Sequence, residues 1–358
     1  MRMHRSPGMQ RIYLRRRIVA GAAVVGIPVL LILLLTRGGG GGGGSNTTAR
    51  HTTTTPAPQA TTTVPVHLVA ETATWKLPIP LARSVVLPVS TNLGVFGGLT
   101  AGSASSKVIY QIDPGAGLAT QIGTMSPAVH DAAGAVIGSS YYVFGGGGTT
   151  ETAAVQQFSF ANSTKLTGTV VTSLAAKRAD LVTATVNGQT YLVGGFDGKQ
   201  WLASVLSTAD GMTFGTLAQL APAVRYPAVA ALAGKLYVIG GELSPKQADA
   251  TAVQEIDVQS GAVTALTPLP AGLSHAAAVT LNGTIYVLGG RSGGHAIDTI
   301  SMLNPSTGLL QPVGHLPAAR SDMGVAVVGQ TVYLVGGEGD NAKPVSAVMT
   351  ARLVAGSG

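Results

Sequence analysis

The chain has no cysteine. That excludes disulfides, thiolate metal sites and a cysteine nucleophile. It does not fix the compartment, because a core of this size needs no covalent staple. Charge is also scarce, at 10% of residues, and aromatic residues make up only 5%, whereas there are 49 glycines. This balance suits short buried strands joined by tight turns and argues against long helices. Acidic residues are missing from positions 1–37, which hold seven arginines (Arg2, Arg5, Arg11, Arg15, Arg16, Arg17 and Arg37). Beyond Arg37 the remaining 15 basic residues face 15 acidic ones, so the net charge of +7 resides in the N-terminal region. A formally neutral body carries no sequence-wide footprint for phosphate, and nucleic acid is not an expected partner.

The basic N-terminus instead reads as a topology signal. Residues 18–36 form an apolar anchor whose uncharged run from Ile18 to Leu35 includes Pro28. As a helix, 18 residues span about 27 Å, close to the hydrocarbon thickness of a bilayer. Arg15, Arg16 and Arg17 precede it directly, so the positive-inside rule predicts a cytoplasmic tail at 1–17, a single-pass anchor, and an extracytoplasmic remainder. A cleaved signal peptide is the competing reading. Its apolar stretch would be unusually long, and Leu35-Thr36-Arg37-Gly38 lacks a small-x-small cleavage pattern. Residues 37–66 follow as a linker, with seven glycines at 38–44 and then Thr/Pro-rich sequence. Such a composition cannot bury apolar surface and predicts a disordered stalk, flexible at its glycines and stiffer beyond.

The rest of the chain is repetitive. Paired glycines fall at 97–98, 145–146, 194–195, 240–241, 289–290 and 336–337, in steps of 48, 49, 46, 49 and 47 residues. Each pair ends a short apolar run, and five runs have tyrosine three places before the first glycine: Tyr142, Tyr191, Tyr237, Tyr286 and Tyr333. A second apolar run precedes each one across a tight turn such as Asn187-Gly188, Ala233-Gly234 or Asn282-Gly283, the signature of a two-residue hairpin. A third and a fourth strand follow, joined by turns such as Asp113-Pro114-Gly115 and Asn304-Pro305-Ser306-Thr307-Gly308. Four antiparallel strands in about 48 residues make the blade of a propeller.

The recurring Tyr-x-Val/Ile-Gly-Gly, together with Leu316-Pro317-Ala318-Ala319-Arg320, resembles the kelch family over residues 68–353. The fourth-strand tryptophan of that family is mostly absent, with Phe214 in one such place. The resemblance implies an all-β, six-bladed kelch-like propeller at 67–355, in the superfamily of the galactose oxidase central domain. Trp75 sits in a fourth-strand pattern at the start of the domain, and Ser346 to Val354 reads as a third strand with nothing after it. Residues 68–77 are therefore expected to complete the sixth blade and close the ring, which removes exposed sheet edges.

Topology places the start of strand one and the end of strand two on the same face. Arg83, His130, Arg178, Arg225, His275 and Arg320 precede strand one at what reads as a similar register, one per blade. Asp197, Glu242, Arg291 and Glu338 follow the glycine pairs. These ten side chains are expected at one channel mouth, where mixed charge suits a polar ligand. A repeated arginine can equally serve the fold by bridging backbone carbonyls of adjacent blades.

Catalytic motifs are weak. Gly145 to Gly148 lacks the Gly-Lys-Ser/Thr ending of a phosphate loop, and His67, His130, His275, His295 and His315 have no metal-ligand spacing, so neither metal nor cofactor is expected. The copper-radical chemistry of galactose oxidase is excluded with the missing cysteine. The reading is a membrane-anchored extracytoplasmic module that recognises a protein or an envelope glycan. A carbohydrate epimerase or mutarotase, like the sialic-acid mutarotase on the same kind of propeller, is the alternative, with Glu242, Glu338, His130 or Arg225 as acid–base groups.

Overall fold

A computed structural model describes residues 66–160, 166–244, 246 and 248–355. The proposed tail and anchor, and the linker up to residue 65, lie outside the described residues, among which no helix is long and apolar enough to cross a membrane.

The predicted blades are present, within the compact unit Thr62–Gly358. Strand one is Val85–Val89, Ala133–Ile137, Val182–Val186, Ala228–Leu232, Ala277–Leu281 and Gly324–Val328 in successive blades. Strand two is Asn92–Phe96, Ser140–Phe144, Gln189–Val193, Lys235–Ile239, Thr284–Leu288 and Thr331–Val335. Strand three is Val108–Asp113, Ala154–Phe158, Ser204–Thr208, Val253–Asp257, Thr299–Leu303 and Val345–Ala355. The fourth strands of blades one to five are Leu118–Thr124, Thr169–Ser173, Gly215–Gln219, Val263–Ala265 and Leu310–His315. Within each blade the strands pair antiparallel in the order one to four. Each strand one neighbours strand one of the blades on either side, the last beside the first, so these six strands form a closed inner ring.

The sixth blade takes its fourth strand from the other end of the domain. Val66–Ala82 pairs antiparallel with Val345–Ala355, from Val66 opposite Ala355 to Leu81 opposite Val345, with register shifts after Thr72 and after Lys76. The expected closure therefore occurs, over a longer strand than 68–77. Its inner end adds a short pairing of Leu81 and Ala82 with Thr100 and Leu99, which clips the sixth blade to the first.

Six apolar clusters hold the ring, one at each blade interface. At the closing interface Leu77 and Leu81 meet Val86, Leu93 and Ile112 of the first blade and Val335 and Val348 of the sixth. Strand two is the most apolar because both its faces are covered; Leu192, Leu236 and Leu288 show no exposure.

The paired glycines have a specific cause. In every blade the second glycine donates its N–H to a carbonyl at the start of the next blade: Gly98 to Val129, Gly146 to Arg178, Gly195 to Val224, Gly241 to Leu273, Gly290 to Arg320 and Gly337 to Leu81. The first glycine lies against that same carbonyl. At Gly240, φ is +63° and a Cβ would stand 2.0 Å from the Leu273 oxygen. Gly240→Ala is thus expected to combine left-handed strain with a backbone clash and to destabilise the domain by about 2–5 kcal/mol, read from chemical denaturation.

Candidate functional site

Strand one, its two-residue hairpin and strand two have fixed lengths, so the residue two places before strand one always falls fourteen before the first glycine of the pair. Those residues are Arg83, Asp131, Asp180, Tyr226, His275 and Asp322. All six are left-handed, with φ between 51° and 60°. Their backbones join around the axis, because each N–H donates to the carbonyl of the residue before it: Asp131 to Arg83, Asp180 to Asp131, Tyr226 to Asp180, His275 to Tyr226, Asp322 to His275 and Arg83 to Asp322, at 2.8–3.2 Å. Six peptide hydrogen bonds thereby close a belt at one mouth of the channel. Left-handed backbone costs about 1 kcal/mol or more per non-glycine residue, and the closed belt compensates that cost. Below the belt lies a cavity of about 280 Å³, lined by these six residues and the first turns of the inner strands.

The belt side chains form one ionic network. Arg83 donates from Nε to Glu338 (3.1 Å) and from Nη1 to Asp131 (3.3 Å), and its Nε lies 3.4 Å from Asp322. Arg83 Nη1 also reaches across the axis to the Tyr226 hydroxyl, at 3.1 Å. Arg225 donates to Glu242 (2.7 Å) and Asp180 (3.1 Å). His275 sits between two carboxylates, with Nδ1 at 2.6 Å from Asp322 and Nε2 at 3.1 Å from Glu242, and its ring stacks on Tyr226 with centroids 3.9 Å apart. At the rim, Arg225 lies over the rings of Trp201 and Phe196, which themselves meet edge to face at 5.2 Å.

These contacts set the charge states. Burial disfavours the His275 cation, but Asp322 and Glu242 outweigh it and raise its pKa to about 9. Burial also raises Asp322, yet His275 and Arg83 hold it at about 2. Burial, aided by the neighbouring carboxylate of Asp131, pushes Asp180 up to about 7. Asp131 rises to about 6, mainly by burial and against the pull of Arg83. Glu338 rises through burial and the proximity of Asp322. Arg83 loses by burial but gains more from Asp131, Asp322, Tyr226 and Glu338, and stays charged.

A pH dependence follows. Asp131, Asp180, Glu338 and His275 bind protons more tightly folded than unfolded, so their contribution is present below the unfolded values of about 4 and 6.5 and is lost as pH rises through the folded ones. Asp322 acts oppositely, its contribution being lost as pH falls from about 4 towards 2. The thermal midpoint is expected to be highest near pH 4 and to fall steadily to pH 9. A midpoint that rises between pH 5 and pH 9 would refute the network.

Of the ten side chains expected at the mouth, seven take part in this network or border it: Arg83, His130, Arg225, Glu242, His275, Arg291 and Glu338. His130 faces Asp131 at 3.4 Å and Ser105 at 2.8 Å, and Arg291 stands 3.9 Å from Glu338. Three do not. Arg178 and Arg320 are buried in their own blades, donating to the Gly194 and Ser204 carbonyls and to the Gly336 carbonyl respectively. Asp197 caps an exposed turn, accepting from the N–H groups of Lys199 and Gln200. The supposed common register is corrected: relative to the glycine pairs, Arg178 and Arg320 lie two places before the belt, His130 and Arg225 one before, and only Arg83 and His275 in it. Asp131, Asp180, Tyr226 and Asp322 were not anticipated, although the fourteen-residue spacing picks out each of them.

Chemically, the arrangement holds His275 as an imidazolium between carboxylates, which suits orientation and not proton abstraction at neutral pH. The Asp131 and Asp180 carboxyls are the groups poised to exchange a proton near neutrality.

Comparisons with known proteins agree with this fold. Residues 272–309 match the family profile described as Kelch motif. Kelch-like protein 35 of Mus musculus is 32% identical over 166 residues, covering 46% of this chain and 28% of the mouse protein. Kelch-like protein terF of Aspergillus terreus is 28% identical over 187 residues, covering 49% of this chain and 38% of the fungal one. The matches thus span about a third of the length of these curated relatives. The solved structure of YjhT superposes with a TM-score of 0.64 at 18% identity, over 78% of this chain and 96% of YjhT, a likeness of fold. The described residues form a six-bladed β-propeller, and its fifth blade matches the Kelch motif.

Proposed function

We propose that the propeller is a recognition module that binds a protein partner at its mouth face. The observation that carries this reading is the rim cluster of Trp201, Phe196 and Arg225. These half-buried side chains pack together at the edge of the mouth, Arg225 over both rings, and tryptophan and arginine are among the residues that most often dominate binding energy in protein interfaces. Kelch propellers generally act as protein-binding modules, which supports the same assignment.

We further propose that the propeller is extracytoplasmic, tethered by the apolar segment at 18–36. Val66 pairs with Ala355 at the hairpin end of the sixth blade, so the described chain enters the propeller on the face opposite the belt. A C-terminal tag that is digested when protease is added to intact cells is the expected result, and a protected tag would refute this topology. A glycan stacking on Trp201 is the second reading, since a flat indole beside charged donors also suits a sugar face.

The test is affinity capture with the full chain from envelope extracts, comparing wild type with Trp201→Ala and with a control on the hairpin face, Met212→Ala. A partner recovered by wild type and the control, and reduced about tenfold or more by Trp201→Ala, is expected for a hot spot. Equal recovery by all three proteins would overturn the assignment of the rim. Recovery that survives protein digestion and is lost on deglycosylation would replace the protein by a glycan.

A further inference from the structure

The axial cavity has a charge deficit that no residue of the belt supplies. Three carboxylates line it, Asp131, Asp180 and Asp322, and Glu242 and Glu338 stand behind them, joined through shared cations. They share three close cations, because Arg83 serves three of them, Arg225 two, and His275 two. Arg291 stands farther off, at 3.9 Å from Glu338. The shortfall is greatest on the side of Asp131 and Asp180, which are neighbours in the belt and lie across it from His275 and Asp322. Asp131 is the clearest case. Its side chain is only 6% exposed and lines the cavity, yet its Oδ1 accepts no hydrogen bond among the described residues, both of its close cation contacts being made by Oδ2.

The cavity is not polar throughout. Beneath the belt its wall is formed by Val85, Leu87, Ala133, Val182, Met323 and Val325. Its volume of about 280 Å³ falls at the small end of ligand pockets, which start near ~300 Å³. A site of this kind has anionic groups at its upper end, an apolar shaft below, and room for few atoms. A hydrated metal ion would leave the shaft unused, and an anion would meet carboxylates. An alkyl chain bearing one positive charge matches both parts, with its N–H donors at the carboxylates and its carbons out of water.

We infer that the cavity binds a small aliphatic amine as its ammonium ion, held by Asp131 and Asp180 with the alkyl chain pointing down the channel. This site does not depend on the rim's protein partner, and either can fail alone. The raised pKa values of the two carboxyls are consistent with it, since burial, with the neighbouring carboxylate, makes their charge costly without a close cation.

The experiment is calorimetric titration of the full chain at pH 8 with n-butylammonium chloride, against n-butanol and tetramethylammonium chloride at equal ionic strength. Butylammonium should bind saturably, with a Kd of about 1–10 mM for so few atoms. n-Butanol lacks the charge and tetramethylammonium lacks N–H donors, and both should bind at least tenfold more weakly. Asp131→Asn should weaken butylammonium by a similar factor. No saturable uptake by wild type, uptake equal to that of n-butanol or tetramethylammonium, or undiminished uptake by a folded Asp131→Asn chain would each overturn the assignment. The first two readings use wild type alone and stand even if the variant fails to fold.

Discussion

Deleting residues 66–77 is expected to abolish cooperative folding of the propeller or to lower its thermal midpoint by more than about 15 °C. The segment supplies most of the fourth strand of the sixth blade. Leu68, 3% exposed, belongs to the cluster between the fifth and sixth blades, and Leu77, 1% exposed, to the cluster between the sixth and first. Losing a buried leucine costs about 2–5 kcal/mol, and two of them account for much of the ~5–15 kcal/mol that stabilises an ordinary domain. The deletion also leaves Val345–Ala355 as an open edge, a template for aggregation. Circular dichroism melts and light scattering on the deleted and full chains decide the matter. A deleted chain that melts within about 5 °C of the full one would show that the ends do not close the ring.

His275→Ala is expected to have the second largest effect. The imidazolium satisfies Asp322, whose side chain is 2% exposed, and Glu242 at once. Removing one partner of a buried ion pair leaves an uncompensated charge and costs roughly 3–5 kcal/mol. The variant should also lose most of the fall in stability between pH 6.5 and pH 9, because His275 releases its proton across that window and only Asp180 still titrates at its lower end. Urea denaturation at pH 6 and pH 9 measures both effects. A loss below about 1 kcal/mol at pH 6, with an unaltered pH profile, would mean that His275 does not bridge the carboxylates.

The two levels of this architecture differ in how plainly the sequence states them. The blades are legible because their signals are local: most of the hairpin turns take glycine or asparagine at positive φ, and each glycine pair must approach a carbonyl where no Cβ fits. The closing strand is legible for a related reason, since Trp75 marks a fourth strand with no blade before it. The mouth is less so. Arg83 and Arg178 are the same residue type a few places before strand one, yet a shift of two residues sends one to the axis and buries the other among the carbonyls of its own blade. Residue type points to both; register separates them, and register is recovered only by counting back from the glycines. The ion pairs themselves join positions as far apart as Arg83 and Glu338, 255 residues along the chain, and no local pattern encodes such a pairing. Tyr226 shows the limit most clearly. An aromatic residue at positive φ before a proline has no ordinary local rationale, and its place is explained only by Arg83 across the channel and His275 beside it.

The closed ring is the premise on which the belt, the cavity and the mouth face all rest, and a single cross-link tests it. Val69 and Arg352 lie opposite each other on the paired strands from the two ends of the domain, and both are exposed. Because the chain has no cysteine of its own, a chain carrying Val69→Cys and Arg352→Cys offers one possible intramolecular disulfide. Closure predicts that mild oxidation consumes both thiols within one molecule and raises the thermal midpoint, as expected for a bond that closes a very long loop. Two thiols that stay free in the folded monomer, or that pair only between molecules, would contradict it.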